Sequence, residues 1–344
     1  MEIGNQIKAL RLRRGITQEA MAQHFGITAQ AVSKWERGAA APDIEMLPAI
    51  SAYFGVTIDE LFALSDETRM ERIQNLIWDV RYLPQADVDS ARDFLLEKAQ
   101  REPSNGRPYE LLADMENHIA EAHHSMAAEY AKEALTRDPA LRYAHGELIN
   151  GMRGKIADWN GSSHYQLIDF YQDYIQANPN CKNAYLSIMD QLIDDYRMDE
   201  AREYCDRYAA LDHSYRVPLY QGKIAWYDGQ RETAFAIWRE MEQKFPDEWC
   251  VYHNIADFLV RSGEYETAEA YYRKALDIQP APRYVDPIEA IAQFHERTGN
   301  YSGAIAALKE ELAIFEKEWH FTTGETADVV RREITRLEKK LAKK

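Results

Sequence analysis

Thr17-Gln-Glu-Ala-Met-Ala-Gln-His-Phe-Gly-Ile-Thr-Ala-Gln-Ala-Val-Ser-Lys-Trp-Glu-Arg-Gly38 decides how this chain of 344 residues begins to fold. The spacing predicts two short helices joined by a tight turn. Thr17 can cap the first helix through its hydroxyl, and Glu19 in its first turn suits the positive end of the helix dipole. Ala22 is small where two helices must cross closely, and Gly26 supplies the left-handed residue that ends the first helix. Thr28 caps the second, whose inner face carries Val32 and Trp35. Gln30, Ser33, Lys34 and Arg37 are left outside. These features at fixed offsets describe a helix-turn-helix, whose second helix fits the major groove of DNA.

A net charge of -16 argues at first against a nucleic-acid partner. Dividing the chain removes the objection. Residues 1–64 hold six Lys/Arg and seven Asp/Glu, whereas the remainder holds 35 and 50. Within residues 1–38 the balance is six basic against three acidic. An acidic body behind a locally basic surface repels DNA everywhere except at that surface. One copy of such a head binds weakly, so dimerisation is expected.

The remaining composition is that of a soluble protein, with 46% hydrophobic and 28% charged residues. The first residues show no leader pattern, and no run of about 18 apolar residues is present to span a bilayer. Cys181, Cys205 and Cys250 are widely spaced and odd in number, which suits a reducing cytoplasm rather than a disulfide framework. Neither a phosphate loop nor a nucleophile elbow is legible. His123-His124 and Asp194-Asp195 lack the i, i+4 spacing of metal ligands, and Glu310-Glu311 reads as surface charge. No enzyme activity, metal or cofactor is expected. Asn160-Gly161-Ser162 fits a glycosylation sequon that a cytoplasmic protein would not use.

From about Arg72 the chain repeats with a period near 34, the length of a tetratricopeptide helix pair. A glycine at the turn, an alanine five residues later and a proline after the second helix mark each unit. Gly229, Ala234 and Pro246 give one, and Gly263, Ala268 and Pro280 the next; Gly299 and Ala304 follow. Asp199-Glu200-Ala201 belongs to an earlier unit without the glycine. Ala91 to Pro103, Ala134 to Pro139 and Tyr165 to Pro179 mark others, the last after an irregular loop at 157–164. Each pair buries its apolar face only against neighbours, with alanines at close approaches and aromatic residues filling gaps. About seven units are expected, stacked as a right-handed α-solenoid with a concave groove. Residues 325–344 place Val330, Ile334, Leu337 and Leu341 at heptad-like spacing, as a cap or a dimerisation helix. The fold class is therefore all-α. The boundaries expected are a head at 1–64, a short linker at 65–71, repeats at 72–320 and a terminal helix at 321–344.

The head also resembles a known family. Thr17-Gln-Glu, Gly26-Ile-Thr and Ala31-Val-Ser-Lys-Trp-Glu-Arg-Gly38 match the phage-repressor, Cro-type (XRE) helix-turn-helix almost letter for letter. Ile7 to Arg14 resembles the family's first helix, Pro42 to Leu47 opens its fourth, and Phe54 to Phe62 matches its closing helix. The resemblance covers about residues 3 to 64 and implies a five-helix, lambda-repressor-like domain that binds double-stranded operator DNA. Carried over by position, the contacting residues are Thr17, Gln18, Ala29, Gln30, Ser33, Lys34 and Arg37. Gln18 is expected on a phosphate, and glutamine and lysine at 30 and 34 suit adenine and guanine or phosphate. Ala29 departs from the glutamine several phage repressors have, and offers only a methyl group. Arg11 and Glu36 match a buried ion pair that would orient the first helix against the third.

Under the tetratricopeptide register, the residues facing the groove are Asn183, Asp190, Lys223, Trp226, Tyr227, His253, Asn254, Asp257, Arg261, Gln293 and Arg297. Asparagines bond a peptide backbone and basic residues clamp a carboxylate, so a short peptide or protein effector is expected there. A Cro-type head on such a body resembles the peptide-responsive RRNPP regulators. The combined expectation is a cytoplasmic, dimeric, sequence-specific transcription regulator. The alternative is an interaction adaptor whose repeats sequester a partner, with DNA binding secondary.

Overall fold

A computed structural model describes residues 2–62, 65–153 and 164–343. The sequon at 160–162 and all but His164 of the expected irregular loop lie outside the described residues. Every regular element among those residues is helical. The chain divides into two compact units, Met1–Met152 and Arg153–Lys344.

The first unit opens with α1 (Glu2–Arg13), α2 (Gln18–Phe25), α3 (Ala29–Glu36), α4 (Leu47–Phe54) and α5 (Ile58–Phe62). A 3-10 turn at Ile44–Met46 leads into α4. Ile7, Met21, Val32, Trp35, Ile50, Phe54 and Leu61 are buried together in a core drawn only from these five helices and their turns. Gly26 and Gly55 take left-handed φ of 66° and 69°, ending α2 and α4. The five-helix head expected from sequence is present.

Beyond it the boundaries differ from expectation. Ser65 caps α6 (Asp66–Asp79), its hydroxyl accepting from the Thr68 amide at 3.1 Å. Residues 66–71 are thus helix rather than linker, because Ser65-Asp66-Glu67 is a cap with an acidic first turn. α7 (Gln85–Arg101), α8 (Arg107–Arg137) and α9 (Arg142–Gly151) complete the unit. α8 runs unbroken for 31 residues. Between Pro108 and Pro139 the sequence supplies neither glycine nor proline to turn the chain, so no helix pair forms there. Lys98 of α7 is almost fully buried, and it reaches Asp66 at 3.3 Å and Glu102 at 2.8 Å.

The second unit begins with α10 (Tyr165–Ala177) and continues as four helix pairs. These are α11 (Lys182–Asp194) with α12 (Met198–Ala209), α13 (Arg216–Tyr227) with α14 (Arg231–Lys244), α15 (Trp249–Ser262) with α16 (Tyr265–Asp277), and α17 (Asp286–Arg297) with α18 (Tyr301–Ile314). The seven units expected therefore reduce to four regular pairs among the described residues. Within those pairs the sequence marks are accurate. Gly229, Gly263 and Gly299 hold left-handed turns at φ 83°, 82° and 77°, and Ala234, Ala268 and Ala304 are fully buried. In the earliest pair Ala201 is also fully buried, but Tyr196 occupies the left-handed turn at φ 59°.

α19 (Glu325–Leu341) closes the unit. Ala327, Val330, Ile334 and Leu337 are buried, the last three in one cluster with residues of α17 and α18, while Leu341 is exposed. Arg336 makes two bonds of 2.6 Å to Glu296 of α17. The apolar stripe of α19 is spent on its own solenoid, as a cap requires.

Candidate nucleic-acid interface

Both helices of the turn motif start at side-chain caps. Thr17 Oγ1 accepts from the Ala20 amide and Thr28 Oγ1 from the Ala31 amide, each at 3.2 Å. Glu19 lies in the first turn of α2, and its carboxyl is held below the ordinary range by a bond to its own backbone and by the Thr17 hydroxyl. After Gly26 the chain returns at once, with the Ile27 amide bonded to the Ala22 carbonyl at 3.0 Å. Ala22 is 3% exposed, so the small residue stands where the helices close on each other.

A buried polar network fixes α3 from behind. Arg11 Nε donates to Glu36 Oε1 at 2.5 Å, Arg11 Nη2 to Glu36 Oε2 at 3.0 Å, and Arg11 Nη1 to the Ile16 carbonyl at 2.7 Å. Burial opposes the Glu36 charge, yet bonds from Arg11 and Gln18 outweigh it and hold the carboxyl below its usual range. The same contact raises the Arg11 pKa. The pair expected between Arg11 and Glu36 is therefore present in bidentate form.

The bond from Gln18 was not legible in sequence: its Nε2 donates to Glu36 Oε2 at 2.8 Å, so one N–H of the amide joins this network. The reason is that Gln18 opens α2 while Glu36 closes α3, and the motif's tight turn brings those two ends together. Gly4 was also not legible as a site residue. A β-carbon there would lie 2.0 Å from the Trp35 carbonyl oxygen, so α1 seats against the end of α3 only because residue 4 is glycine. A glycine inside an otherwise helical segment was the available signal.

The opposite face of α3 is open. Gln30, Lys34 and Arg37 are exposed, as is Thr17 at the start of α2. Arg37 Nε is bonded to the Ser33 carbonyl at 3.2 Å, which folds its guanidinium along the helix. Ser33 is half-buried, and Ala29 is half-buried and packed against the head core. The methyl of Ala29 is accordingly turned in part inward. What remains for a partner is an amide, an ammonium and a guanidinium on one short, rigidly capped helix. That set can bond base edges and phosphates.

The residues expected to face the solenoid groove are largely engaged with one another. Asp190 accepts from the Tyr220 hydroxyl at 2.9 Å and lies 3.7 Å from Lys223. Arg261 donates to the Tyr227 hydroxyl at 3.1 Å, and Asp257 accepts from Tyr272 at 2.5 Å. His253 lies 3.8 Å from Asp257, and Asn254 bonds the Cys250 carbonyl at 2.8 Å. Trp226 is not a groove residue: it is 8% exposed and packs on Phe235, Trp238 and Phe258. Gln293 is exposed with its amide on Glu289, while Asn183 and Arg297 are exposed. Asp190, Lys223, Tyr227, Asp257 and Arg261 therefore fasten neighbouring helices, while Asn254 and Gln293 bond within their own.

Among the described residues no helix is long and apolar enough to cross a membrane, and no cluster of His, Cys, Asp and Glu has metal-site geometry.

Residues 7–61 match the helix-turn-helix family, and residues 248–317 match the tetratricopeptide repeat. The transcriptional activator BcrR of Enterococcus faecalis is 33% identical over 89 residues, which are 23% of this chain and 44% of that protein. The prophage-derived regulator YonR of Bacillus subtilis is 40% identical over 58 residues, 17% of this chain and 54% of the relative. This chain thus spans about half the length of these two relatives. YgzD of Bacillus subtilis, an uncharacterised helix-turn-helix-type transcriptional regulator, is 32% identical over 63 residues, 18% of this chain and 96% of the relative. Among solved structures, yeast Tom70 is 13% identical with a TM-score of 0.42, covering 88% of this chain and 76% of its own. Bacillus thuringiensis PlcR, solved with the peptide PapR7 and DNA, is 16% identical with a TM-score of 0.26, covering 87% and 98%. The near-complete match to YgzD, together with the capped motif at residues 17–37, gives the family: the chain belongs to the helix-turn-helix-type transcriptional regulators.

Proposed function

We propose that this protein is a DNA-binding transcription regulator of the cytoplasm that acts as a homodimer. It reads operator DNA through α3, and its helical repeats serve dimerisation and effector sensing. One observation carries the reading. α3 is capped at its start, anchored behind by Val32, Trp35 and the Arg11–Glu36–Gln18 network, and presents Gln30, Lys34 and Arg37 outward. A helix held so firmly with its polar side chains unburied suits readout, since misplacement of a contacting helix forfeits its hydrogen bonds. The charge balance supports a dimer, because the head alone is close to neutral and neutralises few phosphates. Half-sites about one helical turn apart follow from two-fold symmetry.

Selection of binding sites from random DNA with the purified full chain tests this. An enriched, approximately palindromic motif is expected. Lys34→Ala should weaken binding to all sequences and reduce the salt slope by about one unit. Gln30→Ala should cost about 1–3 kcal/mol and relax preference at one position of each half-site. Absence of any enriched motif at low salt, with the oligomeric state measured in parallel, would overturn the reading.

A further inference from the structure

The hairpin of α6 and α7 holds a cleft of 380 Å³ in which unlike charges stand at opposite ends. Arg69 and Arg72 lie toward the start of α6, and Asp79 and Asp87 lie where the hairpin turns. Between them Leu76 and Phe94 give an apolar wall. Arg69 is stacked on the Phe94 ring, 3.8 Å from guanidinium carbon to centroid. Stacking fixes the plane of the group and leaves its N–H edges to bond a carboxylate. Neither Arg69, Asp79 nor Asp87 has an ion-pair partner among the described residues.

The spacing selects the ligand. Arg69 and Asp79 are ten positions apart on one helix, or about 15 Å along its axis. An extended peptide advances about 3.3 Å per residue, so roughly four to six residues reach from one end to the other. We propose that the α6–α7 cleft binds a short, unblocked, apolar peptide, with its terminal carboxylate on Arg69 and Arg72 and its ammonium group at Asp79 and Asp87. This deepens the regulator reading, for it gives that reading an effector site outside the inner face of the repeats. The binding step itself does not require DNA.

The test is affinity selection on the immobilised full chain from a library of unblocked pentapeptides with Leu, Ile, Val or Phe at the three central positions. Enriched peptides are then titrated against the protein in the absence of DNA. Binding is expected to vanish for the same peptides acetylated and amidated at their ends. Arg69→Gln and Asp87→Asn should each weaken it roughly tenfold or more, as loss of a charged hydrogen bond does. Ser90→Trp, at an exposed position in the cleft wall, should abolish binding without removing a charge, and its helical circular dichroism reports that the chain still folds. Lys223→Gln and Arg261→Gln should leave affinity unchanged. No enrichment, equal binding of blocked peptides, or binding that survives Ser90→Trp but is lost in Lys223→Gln would each overturn the site. A failed operator selection counts against the regulator reading alone, and a failed peptide selection against this cleft alone.

Discussion

Replacing Glu36 with alanine should destabilise the head while leaving the repeats unchanged. The Glu36 side chain is 2% exposed and that of Arg11 is 9% exposed, with two hydrogen bonds between them. Removing one partner of a buried pair costs about 3–5 kcal/mol, because it strands the other charge. The lower end applies here, since Arg11 keeps its 2.7 Å bond to the Ile16 carbonyl. A head of about 60 residues has roughly 3–9 kcal/mol in total at typical stability per residue, so the substitution removes a third of it or all of it. Native-state hydrogen exchange resolves the effect by region. Amides of α1 to α3 should lose about 100-fold in protection, while those of α13 to α18 remain unchanged. The double variant Arg11→Met with Glu36→Leu should recover most of the protection, because it strands no charge. The pH dependence has a definite sign. The Glu36 carboxyl titrates below its ordinary value in the folded head, so its contribution is complete above the unfolded pKa and is lost as pH falls through the folded one. Wild-type head should therefore be more acid-labile than the double variant. A loss of less than about 1 kcal/mol in Glu36→Ala, or a double variant no better than the single, would refute the argument.

Two further outcomes concern the repeats. Glu311 is 4% exposed, its Oε2 has no hydrogen-bond partner among the described residues, and burial together with nearby Glu289 pushes its carboxyl up to about 7. Its raised pKa means that stability is full below about 4.5 and falls as pH rises through about 7, so Glu311→Gln should stabilise the solenoid by up to about 3 kcal/mol at pH 8 and little at pH 4.5. Chemical denaturation at the two pH values measures this, and equal effects at both would contradict it. Gly222 lies in α13 against Trp238, whose Nε1 would sit 2.0 Å from an added β-carbon. Gly222→Ala should destabilise by about 1–3 kcal/mol through overpacking, in spite of the better helix propensity of alanine; a gain in melting temperature would show that the indole moves aside freely.

How much was legible in sequence differs between the two kinds of structure in this chain. In the head, caps, turn glycine and buried ion pair are local or paired features with fixed offsets, and Thr17, Gly26, Thr28, Arg11 and Glu36 stand as expected. The Gln18–Glu36 bond was not legible because the partners lie 18 residues apart, and only the closed turn shows that the two side chains meet. In the repeats, the glycine and alanine marks located α13 to α18 correctly, since a left-handed turn and a close helix approach each admit few residues. Before residue 180 the prolines still mark helix ends, since Pro103, Pro139 and Pro179 follow α7, α8 and α10, but the count of units does not hold. No glycine interrupts α8, which runs on for 31 residues. Tyr196 shows the converse. It adopts the left-handed turn without the glycine, its amide bonded to the Ile193 carbonyl at 3.1 Å and Ala201 buried beyond. Trp226 was read as groove-facing from register alone, but its size decides otherwise, and it joins Trp238 and Phe258 in the core.

The pairing pattern at the residues expected to face the groove bears on how an effector could act. Asp190 with Tyr220, Arg261 with Tyr227 and Asp257 with Tyr272 are already satisfied. A ligand entering there must break such bonds before making its own, and each exchanged bond yields little net free energy. It must also favour one arrangement of the helices over another to change anything elsewhere. The α6–α7 cleft imposes no such exchange on Arg69, Asp79 or Asp87. α6 also begins four positions after Phe62, the last described residue of the head, and its first residue, Asp66, is held by Lys98 and Arg101 of α7 at 3.3 and 3.0 Å. A ligand that draws α6 and α7 together therefore acts on the helix that follows the head in the chain.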